Sequence, residues 1–183
     1  ADIPGKGTGL GSSSSYTVGL LNAIYEYKKY KTDLYNLASQ ACDIEINKCG
    51  EPIGKQDQFA AAFGGLKMYE FMPDESVKIS DINCTDSFKN ALNESNISFY
   101  LGSTRSASKI LEHQIKVSSN QEKKLILRRM ANIAREFASA IEESNFDSVV
   151  ELMNENWELK KSITSKISNS FIDDVYDTGI AAG

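Results

Sequence analysis

Apolar residues recur at helical spacing in several stretches of the 183-residue chain. Val18, Leu21, Ile24 and Tyr25 predict a helix from the serines before Tyr16 to about Tyr27, with Lys28, Lys29 and Lys31 as its solvated end. A second helix follows Thr32 or Asp33 as cap and turns Leu34, Leu37, Ala38, Ala41 and Ile44 inward. Glu45 stands four residues after Ala41, so the same face carries a carboxylate toward the packed side. The alternative for Glu45 is a helix-end side chain reaching solvent. Gly50 to Phe59 reads as a loop from its Gly and Pro content, and Ala60 to Gly65 returns the chain toward a strand. Alternation from Leu66 to Met72, a turn at Pro73 to Ser76 and the run Val77 to Ile79 predict a hairpin. Ile97 to Leu101 is a further strand candidate. Beyond Gly102 helices take over: Ile126, Met130, Ile133, Phe137 and Ile141, then Phe146, Val150, Met153 and Trp157, then a last helix capped by Asn169 or Ser170 through Val175 and Tyr176. The change of character places a boundary near residues 95 to 102.

The segment before the first helix carries candidate chemistry. Pro4-Gly5-Lys6-Gly7-Thr8-Gly9-Leu10-Gly11 is followed by Ser12, Ser13, Ser14 and Ser15. Glycines let a backbone approach a ligand closely, and a helix start offers unpaired amides with a positive dipole end, so an anion fits there. Serine hydroxyls can donate to phosphate oxygens or complete the shell of a magnesium ion. A P-loop is excluded, because Lys6 lies five residues upstream of Gly11 rather than directly before the hydroxyl, and the alternate glycines fit a dinucleotide-binding fingerprint poorly. A flexible Gly/Ser linker is the bland alternative, against which the sustained helical pattern after the serines speaks.

Composition narrows the classes. With 41% hydrophobic residues the chain can build a core. A net charge of −5 and a pI near 5.0 argue against a nucleic-acid-binding surface. Cys42, Cys49 and Cys84 form no paired motif and His113 is the single histidine, which supports neither a zinc site nor a disulfide framework and fits a reducing cytoplasm. No apolar run approaches the roughly 20 residues of a membrane span. The basic cluster Lys123, Lys124, Arg128, Arg129 and Arg135 shares its helix with acidic residues and reads as a solvated face. His113 receives no role.

Pro4, Gly9, Leu10, Gly11, Ser12 and Ser13 match the P-x-x-x-G-L-G-S-S motif of the GHMP kinases, the family of galactokinase, homoserine kinase and mevalonate kinase. Gly50, Pro52, Gly54, Asp57, Gln58 and Phe59 reproduce in register the G-x-P-x-G-x-x-D-Q-F signature that galactokinases carry at the catalytic aspartate. Two matches in the right order are more specific than either alone. Gly54-Lys55-Gln56-Asp57-Gln58, Ser103-Thr104-Arg105-x-Ala107, Trp157-x-x-Lys160-Lys161 and Ile167-Ser168-Asn169 resemble the branch of heptose 7-phosphate and fucose kinases.

The resemblance implies an α+β chain with the GHMP kinase fold, a ribosomal protein S5 domain 2-like N-terminal part and a ferredoxin-like, helix-rich C-terminal part, incomplete at both ends. Residues 1–95 would be the C-terminal portion of the ATP-binding domain, and residues 96–183 most of the second domain. Ala1 stands in place of an initiator methionine and the family's first and third motifs are missing, so the chain is expected to be part of a longer protein. The implied reaction is transfer of the γ-phosphoryl of ATP to a sugar hydroxyl, most specifically the anomeric hydroxyl of D-glycero-D-manno-heptose 7-phosphate. Gly9, Leu10, Gly11, Ser12, Ser13, Ser14 and Ser15 would bind the ATP phosphates, Ser13 and Glu45 would hold Mg2+, and Asp57 would be the general base or orienting group. Arg105, Lys55 and Gln58 would contact substrate, Arg105 equally explained as a surface ion pair. Lys6, a lesser candidate, could touch phosphate. An ordinary aspartate, with a pKa near 4, is a weak base for a sugar hydroxyl, so orientation carries much of the expected role. The expected partner is a small-molecule sugar or sugar phosphate, with neither nucleic acid nor membrane and with a homodimer allowed. The alternatives are a galactokinase- or fucokinase-like kinase of a free sugar and a non-catalytic fragment or binding module.

Overall fold

The computed structural model describes residues 10–101 and 121–182; Gly9, Arg105, Lys6 and His113, singled out above, lie outside them. The described residues fall into two compact units, 10–83 with 91–101, and 84–90 with 121–182.

The first unit is organised around its second helix. Helix α1 spans Ser12–Lys28 and α2 spans Leu34–Cys42. Asp33, rather than Thr32, caps α2: its carboxylate accepts from Asn36 N at 2.7 Å. Leu37 and Ala41 of α2 pack with Val18, Leu21 and Tyr25 of α1. Ala38 and Cys42, one position further round, pack with Phe59 and Val77. That four-residue repeat lets one short helix face two neighbours at once. Phe59 is 1% exposed, and burying such a side chain is worth about 1.5–3 kcal/mol.

After Cys42 the helix widens into a π-helical turn, Asp43–Lys48, with Cys49 N bonded to Ile44 O at 2.8 Å. A loop then leads to helix α3, Gln56–Phe63. The sequence predicts a loop as far as Phe59. Pro52 and Gly54 do hold residues 50–55 out of helix, but the helix begins three residues earlier than Phe59 and so takes Asp57 and Gln58 into its first turn. Strands β1 (Lys67–Phe71) and β2 (Val77–Asp81) form the expected antiparallel hairpin, with Tyr69 opposite Ile79. Tyr35 of α2 accepts a hydrogen bond from Val77 N at 3.0 Å, tying the hairpin to the helices.

Residues 97–101 are not a strand. Ile97, Phe99 and Tyr100 are exposed, and no strand among the described residues pairs with them, so the β-propensity there has no ladder to join. Helix α4, Asp86–Ser95, was not anticipated; Thr85 caps it by accepting from Phe88 N at 3.2 Å.

The second unit is a helical hairpin with a third helix on it. Helices α5 (Gln121–Glu142) and α6 (Phe146–Ile163) run antiparallel, and Asn145 caps α6 by accepting from Ser148 N at 3.1 Å. Ile133, Ala140, Ile141, Val149 and Ile163 are its buried apolar residues within these two helices. Helix α7, Ser170–Ala182, starts at Asn169, whose side chain accepts from Ile172 N at 2.9 Å. It is held to α6 by Trp157 against Tyr176, at 5.9 Å between ring centroids, with the Lys161 ammonium 5.7 and 5.3 Å from the two rings. No helix among the described residues is long and apolar enough to cross a membrane.

Candidate functional site

Helix α1 begins at a glycine held in the left-handed region. Gly11 has φ 64°, a conformation that costs an L-residue strain, and its carbonyl accepts the first helical bond, from Ser15 N at 3.0 Å. The amides of Ser12, Ser13 and Ser14 therefore precede the helical ladder and present the positive end of the dipole. No acidic residue lies in this first turn. Leu10 is an exposed bend before it; Ser12, Ser13 and Ser15 are exposed, while Ser14 is buried.

Two other segments bring carboxylates to this helix end. Glu45, on the π turn, is only 4% exposed, and its Oε1 accepts from Ser13 Oγ at 2.5 Å. The inward placement expected for Glu45 is the one observed, and the solvent-reaching alternative is set aside. Asp57, in the first turn of α3, lies beside Gly11: a Cβ on that glycine would sit 3.4 Å from the Asp57 Cγ and Oδ2 atoms. Asp57 remains exposed, a carboxylate at the rim rather than in the wall.

Gln58 is fully buried, and its Nε2 donates to Glu45 Oε2 at 2.5 Å. The structure thus brings Gly11, Ser13, Glu45, Asp57 and Gln58 together. Lys55 points to the hairpin turn, donating to Glu75 O at 3.0 Å and pairing with the Glu75 carboxylate. The structure reveals one polar link that sequence reasoning missed: the bond from Gln58 to Glu45. Its signal was present in the placement of Glu45 on the packed face, because a buried carboxylate requires donors. Cys42 lies behind Glu45; burial pushes its thiol up to about 11, opposed by the Lys55 charge and reinforced by that of Glu45.

Chemically, the arrangement combines an anion-attracting helix end with two carboxylates, Glu45 and Asp57, from elsewhere. A phosphate alone would meet their repulsion; a phosphate with a divalent cation would not. Mg2+ usually takes one or two carboxylates together with phosphate oxygens and water, and Glu45 Oε1 with Ser13 Oγ is a donor set of that kind. The residues fit the ion. Among the described residues no group of three or more His, Cys, Asp or Glu side chains forms a metal site without such a phosphate.

Residues 1–65 match the family model for the GHMP kinases N terminal domain. Over its full length the chain is 29% identical to the D-glycero-alpha-D-manno-heptose 7-phosphate kinase of Campylobacter jejuni, of which it covers 54%. It is 22% identical, over 97% of its length, to 17% of the bifunctional fucokinase/GDP-fucose pyrophosphorylase of Arabidopsis thaliana. A crystal structure of a D-glycero-D-manno-heptose 1-phosphate kinase from Bacteroides thetaiotaomicron superposes with a TM-score of 0.67 at 28% identity, over 87% of this chain and 46% of that one. A crystal structure of a Campylobacter jejuni protein gives 0.68 at 26% identity, over 100% of this chain and 51% of that one. The chain spans about half the length of the first of these relatives and of both structures. Its mixture of helices with a small hairpin is an α+β part of their fold. Residues 1–65 thus match that family's N-terminal domain, and the chain is similar along its whole length to a sugar-phosphate kinase.

Proposed function

We propose that this chain carries the phosphate-binding and acceptor-activating part of an ATP-dependent sugar kinase, whose acceptor is the anomeric hydroxyl of D-glycero-D-manno-heptose 7-phosphate. The single observation that carries the reading is the convergence of Ser13, Glu45 and Asp57 on the N-terminus of α1. The names of the relatives supply the sugar. Residues 1–95 then close the ATP-binding domain and residues 96–183 make most of the second one.

Phosphoryl transfer asks the protein mainly for positioning and for stabilisation of charge on the transferred group. In this reading the segment from Gly9 to Ser15 cradles the ATP phosphates on its amides and hydroxyls. Ser13 and Glu45 hold Mg2+, which when bound supplies charge neutralisation between phosphate oxygens. Asp57 receives the hydrogen bond of the acceptor hydroxyl, orients its oxygen and accepts its proton as transfer proceeds. Arg105 pairs its planar fork with the 7-phosphate, and Lys55 stands close enough to Asp57 in sequence to reach substrate only by leaving Glu75.

The test is ADP release with a panel of free and phosphorylated sugars, for wild type and for Arg105→Ala. Release that requires heptose 7-phosphate, with Arg105→Ala raising KM for that acceptor alone, supports the assignment. Equal rates on the free heptose would remove the 7-phosphate from it. No release with any sugar would remove the kinase reading of this chain.

A further inference from the structure

Helix α3 sends adjacent residues to opposite sides of its first turn. Asp57 is exposed at the rim beside Gly11, while Gln58 has no exposed surface at all. A buried primary amide has two ends to satisfy. The Nε2 end of Gln58 donates to Glu45 Oε2 at 2.5 Å, but its Oε1 is buried without a hydrogen-bond partner. A leucine would fill comparable space without that unpaired oxygen, so packing gives no reason for glutamine here. Nor can the amide turn over, since Oε1 would then face the carboxylate oxygen.

The reason lies in Glu45. A buried carboxylate on a π turn can swing about its Cγ–Cδ bond unless a donor fixes its plane. Gln58 does so: by donating to Oε2 it fixes the plane in which Oε1 meets Ser13 Oγ. We infer that Gln58 is a positioning residue that holds Glu45 with Oε1 turned to Ser13 and to the divalent cation of a bound nucleotide. It acts through Glu45 and touches neither sugar nor phosphate. The inference rests on the kinase reading above.

A double-mutant cycle on the chain tests it, with Mn2+ as an observable substitute for magnesium. Affinity for Mn2+ with ADP is measured by electron paramagnetic resonance for wild type, Gln58→Leu, Glu45→Gln and the double variant, and the melting temperature of each is measured without metal. Gln58→Leu should weaken Mn2+ binding about 10- to 100-fold, the usual scale for residues that orient a metal ligand. Its melting temperature without metal should fall, because Glu45 Oε2 is left buried without its donor, so affinities are compared at a temperature where every variant is folded. In the Glu45→Gln background the same change should alter affinity by no more than about twofold. Should leucine fail to fold, Gln58→Met removes the donor with a more adaptable side chain. A Gln58→Leu chain that binds Mn2+ with ADP as well as wild type overturns the inference alone. So does an undiminished loss in the Glu45→Gln background. Failure of the wild-type chain to take up Mn2+ with ADP overturns the kinase reading and this role with it.

Discussion

The two units differ in where they bury polar groups. In the first, Ser14, Glu45 and Gln58 are buried, and all of them gather at or behind the start of α1. In the second, the strongest polar contacts lie at the surface: Arg129 binds Glu155 through Nε and Nη2 at 2.6 and 2.7 Å and Glu136 through Nη1 at 2.6 Å, each side chain well exposed. The buried residues of that unit are apolar, Phe88, Ile133, Ala140, Ile141, Val149, Ile163 and Ile167, apart from Thr164 at the end of α6. Burying an ionisable group opposes folding, and a partly satisfied polar cluster is worse than an apolar one. The first unit accepts that cost at one helix end, where the proposed phosphate site lies. The second shows what the same chain does where packing alone decides.

The largest effect that would sharpen this contrast is on stability. Ile141 is 1% exposed, and Ile141→Ala should destabilise by about 2–5 kcal/mol. The check is denaturant unfolding alongside nucleotide titration at a temperature where the variant is folded. Loss of nucleotide affinity in the folded variant would break the division of labour, since the second unit would then be part of the binding site. Next comes Asp57→Asn, which keeps shape and removes charge at an exposed rim position. Under the proposed kinase reading it should lower kcat by about 100-fold or more, with ATP affinity and melting temperature little altered. Near-normal turnover would return Asp57 to the rank of a surface carboxylate.

Gly11→Ala probes the geometry that the site shares with the fold. Its φ of 64° is strained for alanine, which should cost about 1–3 kcal/mol, and the new methyl would touch the Asp57 carboxylate. Both a lower melting temperature and weaker nucleotide binding are expected. A variant with unchanged binding would mean that the helix start is not where phosphate sits.

Much of this was legible in the sequence, for definite reasons. The start of α1, the cap at Asp33, the β1–β2 hairpin and the long helices α5 and α6 each carry a local signal, whether glycines, a capping carboxylate, alternation or a sustained helical period. Glu45 could be turned inward by counting from Ala41. The start of α3 was not legible, because Gly50, Pro52 and Gly54 read as loop while the residues after them gave no clear period. The run Ile97 to Leu101 had strand composition but no partner. The bond from Gln58 to Glu45 joins residues thirteen apart across a π turn, and no local pattern announces a tertiary contact.

The smallest expected effect lies on the surface of the second unit. Arg129 grips Glu155 with two parallel bonds, a geometry that resists salt better than a single contact, yet both groups are solvated and much of their attraction is screened. Arg129→Ala should therefore lower the melting temperature by less than Gly11→Ala, and added salt should shrink the difference from wild type. The bonds from Arg129 hold the Glu155 carboxyl below its ordinary value. A carboxyl lowered in the folded state contributes stability above its unfolded value of about 4.3 and loses that contribution as pH falls through the folded one. The Arg129→Ala deficit should accordingly be full at neutral pH and fade in acid. Melting curves across pH 3 to 7 for both proteins provide the check. A deficit that persists unchanged at low pH and high salt would mean that the arginine matters here for the packing of its stem along α6, and the surface contacts of this unit would then count as part of its core.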